Sequence, residues 1–141
     1  MMRVLMILAI ALSGCASLVS EQRHSEEQMM TMAAALIKVS AATEANLRYG
    51  TPSDSITDSA FLDQSVAHDP GLLTAFSTYR IKTMRYNGHT ANLVCSQDGT
   101  SALLEDAGCT AAMDKHRWRD EGNAQCVFTL DLSTLCPAVR N

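Results

Sequence analysis

Four cysteines, Cys95, Cys109, Cys126 and Cys136, all lie beyond residue 90 of this 141-residue chain. The only other cysteine, Cys15, ends a short apolar segment far from them. An even set in an exported chain reads as two disulfides. The intervals of 13, 16 and 9 residues contain no C-x-x-C, so neither a zinc knuckle nor a thioredoxin-like redox site is implied. The first part of the chain must then be held by packing alone. With three Phe, three Tyr and one Trp, the core is modest and gains from covalent staples.

The isolation of Cys15 follows from what precedes it. Arg3 carries the only charge before Glu21, and Val4 to Leu12 is apolar throughout. As a helix, nine such residues reach about 13 Å, too short for a bilayer core of about 30 Å. This is the arrangement of a secretory signal. Leu12-Ser13-Gly14-Cys15 then places a large aliphatic residue and two small ones before a thiol. The segment resembles the lipobox of bacterial lipoproteins. That resemblance implies cleavage before Cys15 and its modification by a diacylglycerol and a further acyl chain such as palmitate. Three chains anchor stably where one binds marginally. With no Asp after the cysteine, it implies the periplasmic face of the outer membrane. Residues 1–14 are then the signal, 15–24 a lipidated tether and 25–141 one globular domain.

The mature chain has ten Lys and Arg against fifteen Asp and Glu, a formal charge of −5. A nucleic-acid partner needs a basic face, so none is expected. The one membrane attachment expected is the lipid.

Ser25-Glu26-Glu27-Gln28 has the form of a capping box, and Gly50 with Pro52 ends the helix it starts. Met29, Met32, Leu36, Val39, Thr43 and Leu47 form one stripe, with Glu27, Lys38 and Ala45 opposite. The stripe suits packing on the domain's own sheet. A second helix is predicted over about 58–67, and Asp69 as cap with Pro70 at N1 starts a short third. From Tyr79 the period becomes two. Strands follow around Asn87-Gly88 and Asp98-Gly99 turns, with a bulge at Met84 and a third strand over about 101–105. Cys126, Phe128, Leu130 and Leu132 alternate with polar or small partners and predict a fourth. The fold class is α+β: N-terminal helices on a mainly antiparallel four-stranded sheet tied by two disulfides.

In that hairpin layout Cys95 lies at a tip, and Cys109 about 15–20 Å away past the opposite end. A disulfide needs Cα atoms within about 7 Å, which favours Cys95–Cys126 with Cys109–Cys136. The local pairing, Cys95–Cys109 with Cys126–Cys136, is the alternative.

G-x-S-x-G, S-x-x-K, H-E-x-x-H and P-loop patterns are missing from the sequence, and no enzymatic activity, metal or cofactor is expected. His68-Asp69 reads as a helix boundary. Met29, Met30 and Met32 point apart on a helix and suit core filling better than copper. The acidic pairs Glu105-Asp106 and Asp120-Glu121 read as solvated. Arg117-Trp118-Arg119 is a candidate interaction surface, although Trp118 suits the core of a small domain better. The reading is a lipid-anchored, non-enzymatic interaction or assembly module of the envelope. A module that binds a small molecule, glycan or metal is the rival.

Overall fold

A computed structural model describes residues 26–110 and 125–139. Ser25, Cys15, the residues Arg117, Trp118 and Arg119, and the pair Asp120-Glu121 lie outside the described residues.

Helix α1 (Glu26–Tyr49) carries Glu26 and Glu27 in its first turn and Arg48 in its last, matching the helix dipole. Met29, Met32, Leu36, Val39 and Thr43 are buried, and Leu47 is half-buried. Glu27, Lys38 and Ala45 face solvent. Gly50 ends the helix and Thr51 turns the chain away with φ +46°. Helix α2 (Asp58–Ser65) starts at Thr57, whose hydroxyl accepts from the amide of Ala60. A 3-10 segment (Pro70–Phe76) follows, and the Asp69 side chain does not cap it. Pro70 opens it, and the Asp69 carbonyl accepts from the amide of Leu72 at 3.1 Å.

Strands β1 (Arg80–Tyr86), β2 (His89–Cys95) and β3 (Ala102–Ala107) form one antiparallel sheet with β2 in the centre. At the first hairpin Asn87 and Gly88 have φ +50° and +77°, the left-handed pair that matches strand twist. In the second turn the Asp98 carboxylate accepts from Ser96 Oγ and from the amide and hydroxyl of Thr100. These bonds, led by Ser96, hold its pKa down at about 2. β1 is regular through Met84, correcting the predicted bulge. The irregularity lies in the other ladder: Val94 pairs with Leu104 and Cys95 with Ala102, leaving Leu103 as the extra residue.

The sheet lies between two layers. On one face Val94 and Leu104 join Met29, Met32, Leu36, Val39, Leu62, Val66 and Phe76. On the other, Ala91, Leu93, Cys95, Ala102 and Ala107 meet the C-terminal segment through Cys126, Phe128, Leu130, Leu132 and Cys136. Every residue of β2 is therefore buried.

That C-terminal segment corrects the expectation of a fourth strand. It makes one isolated bridge, Ser101 to Gln125, and ends in a four-residue helix α3 (Leu132–Leu135). Burial still alternates: Cys126 and Leu132 are buried, Phe128 and Leu130 half-buried, and Val127, Thr129 and Asp131 exposed. A side chain replaces the missing ladder. The Glu105 carboxylate accepts from the amides of Thr129 and Leu130 at 2.6 and 2.8 Å, and from Thr129 Oγ1 at 2.7 Å. Lys82 Nζ donates to the carbonyl of Cys126 at 2.9 Å.

Disulfides Cys95–Cys126 and Cys109–Cys136 close the same layer, with Cα separations of 5.6 and 5.7 Å. They span 31 and 27 residues, loops for which chain entropy gives roughly 3–4 kcal/mol each. Reduction should therefore lower the melting temperature markedly in calorimetry, and an unchanged melting point would contradict it.

Gly108 sits where β3 leaves the sheet under α1. A Cβ there would stand 2.6 Å from Thr90 Oγ1, 2.7 Å from Glu44 Cβ and 2.8 Å from the Ser40 carbonyl. Its amide also donates to the Thr90 carbonyl at 2.8 Å. Gly108→Ala should cost about 1–3 kcal/mol by overpacking. Urea denaturation checks this, and an unchanged midpoint would show that α1 can yield.

Candidate functional site

Polar side chains run through the α1–β2 contact and converge on His89. Glu44 comes from the last part of α1, and its carboxylate is buried against the sheet. Oε2 accepts from the amide of Thr90 at 2.8 Å and from Thr90 Oγ1 at 3.2 Å. Oε1 accepts from Arg48 Nη2 at 2.7 Å, Arg48 Nε at 3.0 Å and His89 Nδ1 at 2.7 Å. One turn earlier, Asn92 Nδ2 donates to Thr43 Oγ1 at 3.0 Å and Ser40 Oγ at 3.2 Å. Asn92 Oδ1 accepts from Thr83 Oγ1 at 2.8 Å. Both groups of the Asn92 amide are thus satisfied, as a buried amide requires.

Burial alone pushes the Glu44 carboxyl upward. Hydrogen bonds from His89, the Thr90 amide and Arg48, with the charge of His89, together outweigh it and leave the pKa below the usual carboxylate value.

His89 is 2% exposed and is the first residue of β2, placed there by the Asn87-Gly88 turn. Its Nε2 donates to the Pro137 carbonyl at 2.7 Å, so each ring nitrogen faces an acceptor. The imidazole thereby links three layers: helix, sheet and C-terminal segment. It also lies against the second disulfide. One ligand atom from each of His89, Cys109 and Cys136 falls within 4.8 Å of the others. A cavity of about 430 Å³ opens beside them, lined by residues including His89, Leu132, Ser133, Cys136, Pro137 and Val139.

Of the residues singled out in the sequence, the four later cysteines are brought into two pairs on one side of the sheet. Met29 and Met32 enter the core while Met30 is exposed, so the three do not converge. His68 and Asp69 are exposed between α2 and the 3-10 segment. Glu105 and Asp106 are corrected: they lie inside β3 and are 1% and 0% exposed. Sequence reasoning missed Glu44 and His89 altogether. They are 45 residues apart, and no local pattern joins them.

No protein-family model, curated protein or solved structure matches the chain. Among the described residues no helix is long and apolar enough to cross a membrane.

Glu44→Gln keeps the shape and removes the charge that Arg48 and His89 surround. Loss of one partner from a buried pair should cost about 3 kcal/mol or more near neutral pH. Because the folded pKa is lowered, this stability is fully present above the ordinary carboxylate range and disappears as pH falls through the folded value. Urea midpoints should therefore show the gap between wild type and Glu44→Gln closing as pH falls below the ordinary carboxylate range. A gap independent of pH would place the stabilisation elsewhere.

Proposed function

We propose that this protein is a lipid-anchored envelope protein whose domain acts by contact rather than by catalysis. Leu12-Ser13-Gly14-Cys15 behind the apolar segment 4–12 is the observation that carries the reading. It makes Cys15 the acylated first residue of the mature chain, at the periplasmic face of the outer membrane. The two disulfides support an oxidising destination, because paired thiols of this kind persist outside the reducing cytosol. The engagement of the buried acids supports contact over catalysis. Glu44 is filled by Thr90, Arg48 and His89, and Glu105 binds the backbone of Thr129 and Leu130. Their charge holds layers together.

The surface offered for contact is the groove at the β1–β2 turn and the C-terminal residues. Val139 is exposed there, and exposed Tyr86 and Leu135 adjoin its lining residues in sequence. The same cavity favours the second reading, a module that binds a small ligand beside His89. Arg117, Trp118 and Arg119 stay a separate proposal for the contact surface.

Cys15→Ala should accumulate an unprocessed precursor with no acyl label, visible by mass. Normal cleavage and labelling in that variant would refute the anchor. A benzophenone amino acid at Leu135 or Val139 should yield envelope adducts on illumination, while one at exposed Lys38 should not. Equal adducts at all three positions would argue against the groove.

A further inference from the structure

The geometry points to a redox-gated metal site: when the Cys109–Cys136 bond is opened, His89, Cys109 and Cys136 bind one zinc ion. This stands whether or not the chain is lipid-anchored.

The ligand set is already assembled. The three ligand atoms lie within 4.8 Å of one another, and a tetrahedral zinc with bonds of about 2.0–2.3 Å needs separations of roughly 3.5–3.8 Å. Once the bond is open, rotation about the Cα–Cβ bonds of Cys109 and Cys136, whose Cα atoms are 5.7 Å apart, moves the two sulfurs apart toward that spacing. Zinc on Nε2 takes the place of the Pro137 carbonyl, which must turn away, but none of the three ligand residues depends on the disulfide alone for its place. His89 pairs with Tyr86 in the β1–β2 ladder. Cys109 follows Gly108, whose amide bonds Thr90. The amide of Cys136 bonds the Leu132 carbonyl at the end of α3.

The histidine is oriented as metal-bound histidines are. Nδ1 donates to the Glu44 carboxylate, which fixes the ring and raises its basicity, and Nε2 donates to the carbonyl of Pro137, the residue after Cys136, a bond that zinc replaces. The ligands are two thiolates and one imidazole, a set that suits zinc and not magnesium or calcium. Two Cys and one His leave a fourth position, which the cavity of about 430 Å³ can fill with water.

The chemistry balances with a named reductant. A phosphine gives two electrons to the disulfide and takes oxygen from water. Two thiols and a phosphine oxide result. Zinc binding then releases the two thiol protons and the Nε2 proton to solvent. A two-electron oxidant rebuilds the S–S bond and expels the ion. Disulfide and metal are therefore mutually exclusive occupants of one place. Cys136 lines the cavity and Cys95 is fully buried, so the phosphine reaches this bond before Cys95–Cys126.

The test uses full-length protein. After limited phosphine treatment, peptide mapping should show Cys109 and Cys136 free. Zinc should then bind at one equivalent and block alkylation of both thiols, whereas magnesium should not. X-ray absorption at the zinc edge should report two sulfurs and one imidazole nitrogen. His89→Ala should weaken binding about 10–100-fold, and Cys95→Ser with Cys126→Ser should keep it. A shell of sulfur and water without nitrogen would overturn the proposal, as would zinc binding equally well to Cys109→Ser with Cys136→Ser. Circular dichroism separates a folded site from capture by an unfolded chain, and capture accompanied by loss of helix would also overturn it.

Discussion

The Glu44 carboxylate is the contact on which the architecture turns. A charge taken out of water is tolerated only when its acceptor capacity is filled. Here the partners come from its own helix through Arg48 and from the central strand through His89 and the Thr90 amide. An apolar helix face would accept several positions along the sheet with little change in energy. A carboxylate that needs the amide of one residue accepts only one. Glu44 thus sets the register of α1, and the Ser40, Thr43, Thr83 and Asn92 contacts agree with that register.

Glu105 does the same on the opposite face. Its carboxylate binds successive amides in a segment that has lost its ladder. The disulfides add covalent closure on either side. Glu44 and Glu105 thus fasten the sheet to its two neighbouring layers, and His89 joins the two systems through Pro137.

The parts legible in sequence were those governed by local periodicity. The Met29–Thr43 stripe placed α1, the Asn87-Gly88 and Asp98-Gly99 pairs placed both turns, and hairpin geometry selected the Cys95–Cys126 and Cys109–Cys136 links. The alternation from Cys126 to Leu132 was real as burial but not as strand. A two-residue period reports which side chains face a core, whereas a strand also needs a neighbour for its amides, and Glu105 takes two of those. The pair Glu105-Asp106 misled for a related reason: acidic residues read as solvated until their partners are known. His89 gave no signal, since its partners lie 45 residues before it and 48 after.

One feature of the sheet bears on self-association. β1 is an edge strand, and Arg80, Lys82 and Arg85 punctuate it. A second copy adding itself to that edge would bring like cations together in adjacent strands, which discourages the pairing. All three are also committed to the fold: Arg80 to the Gln97 carbonyl, Lys82 to the Cys126 carbonyl, Arg85 to Asp58 and the Ile56 carbonyl. Amyloid-like stacking through β1 is thus opposed by the same side chains that close the monomer. Replacing them with neutral residues would loosen the domain and unguard its edge in one step.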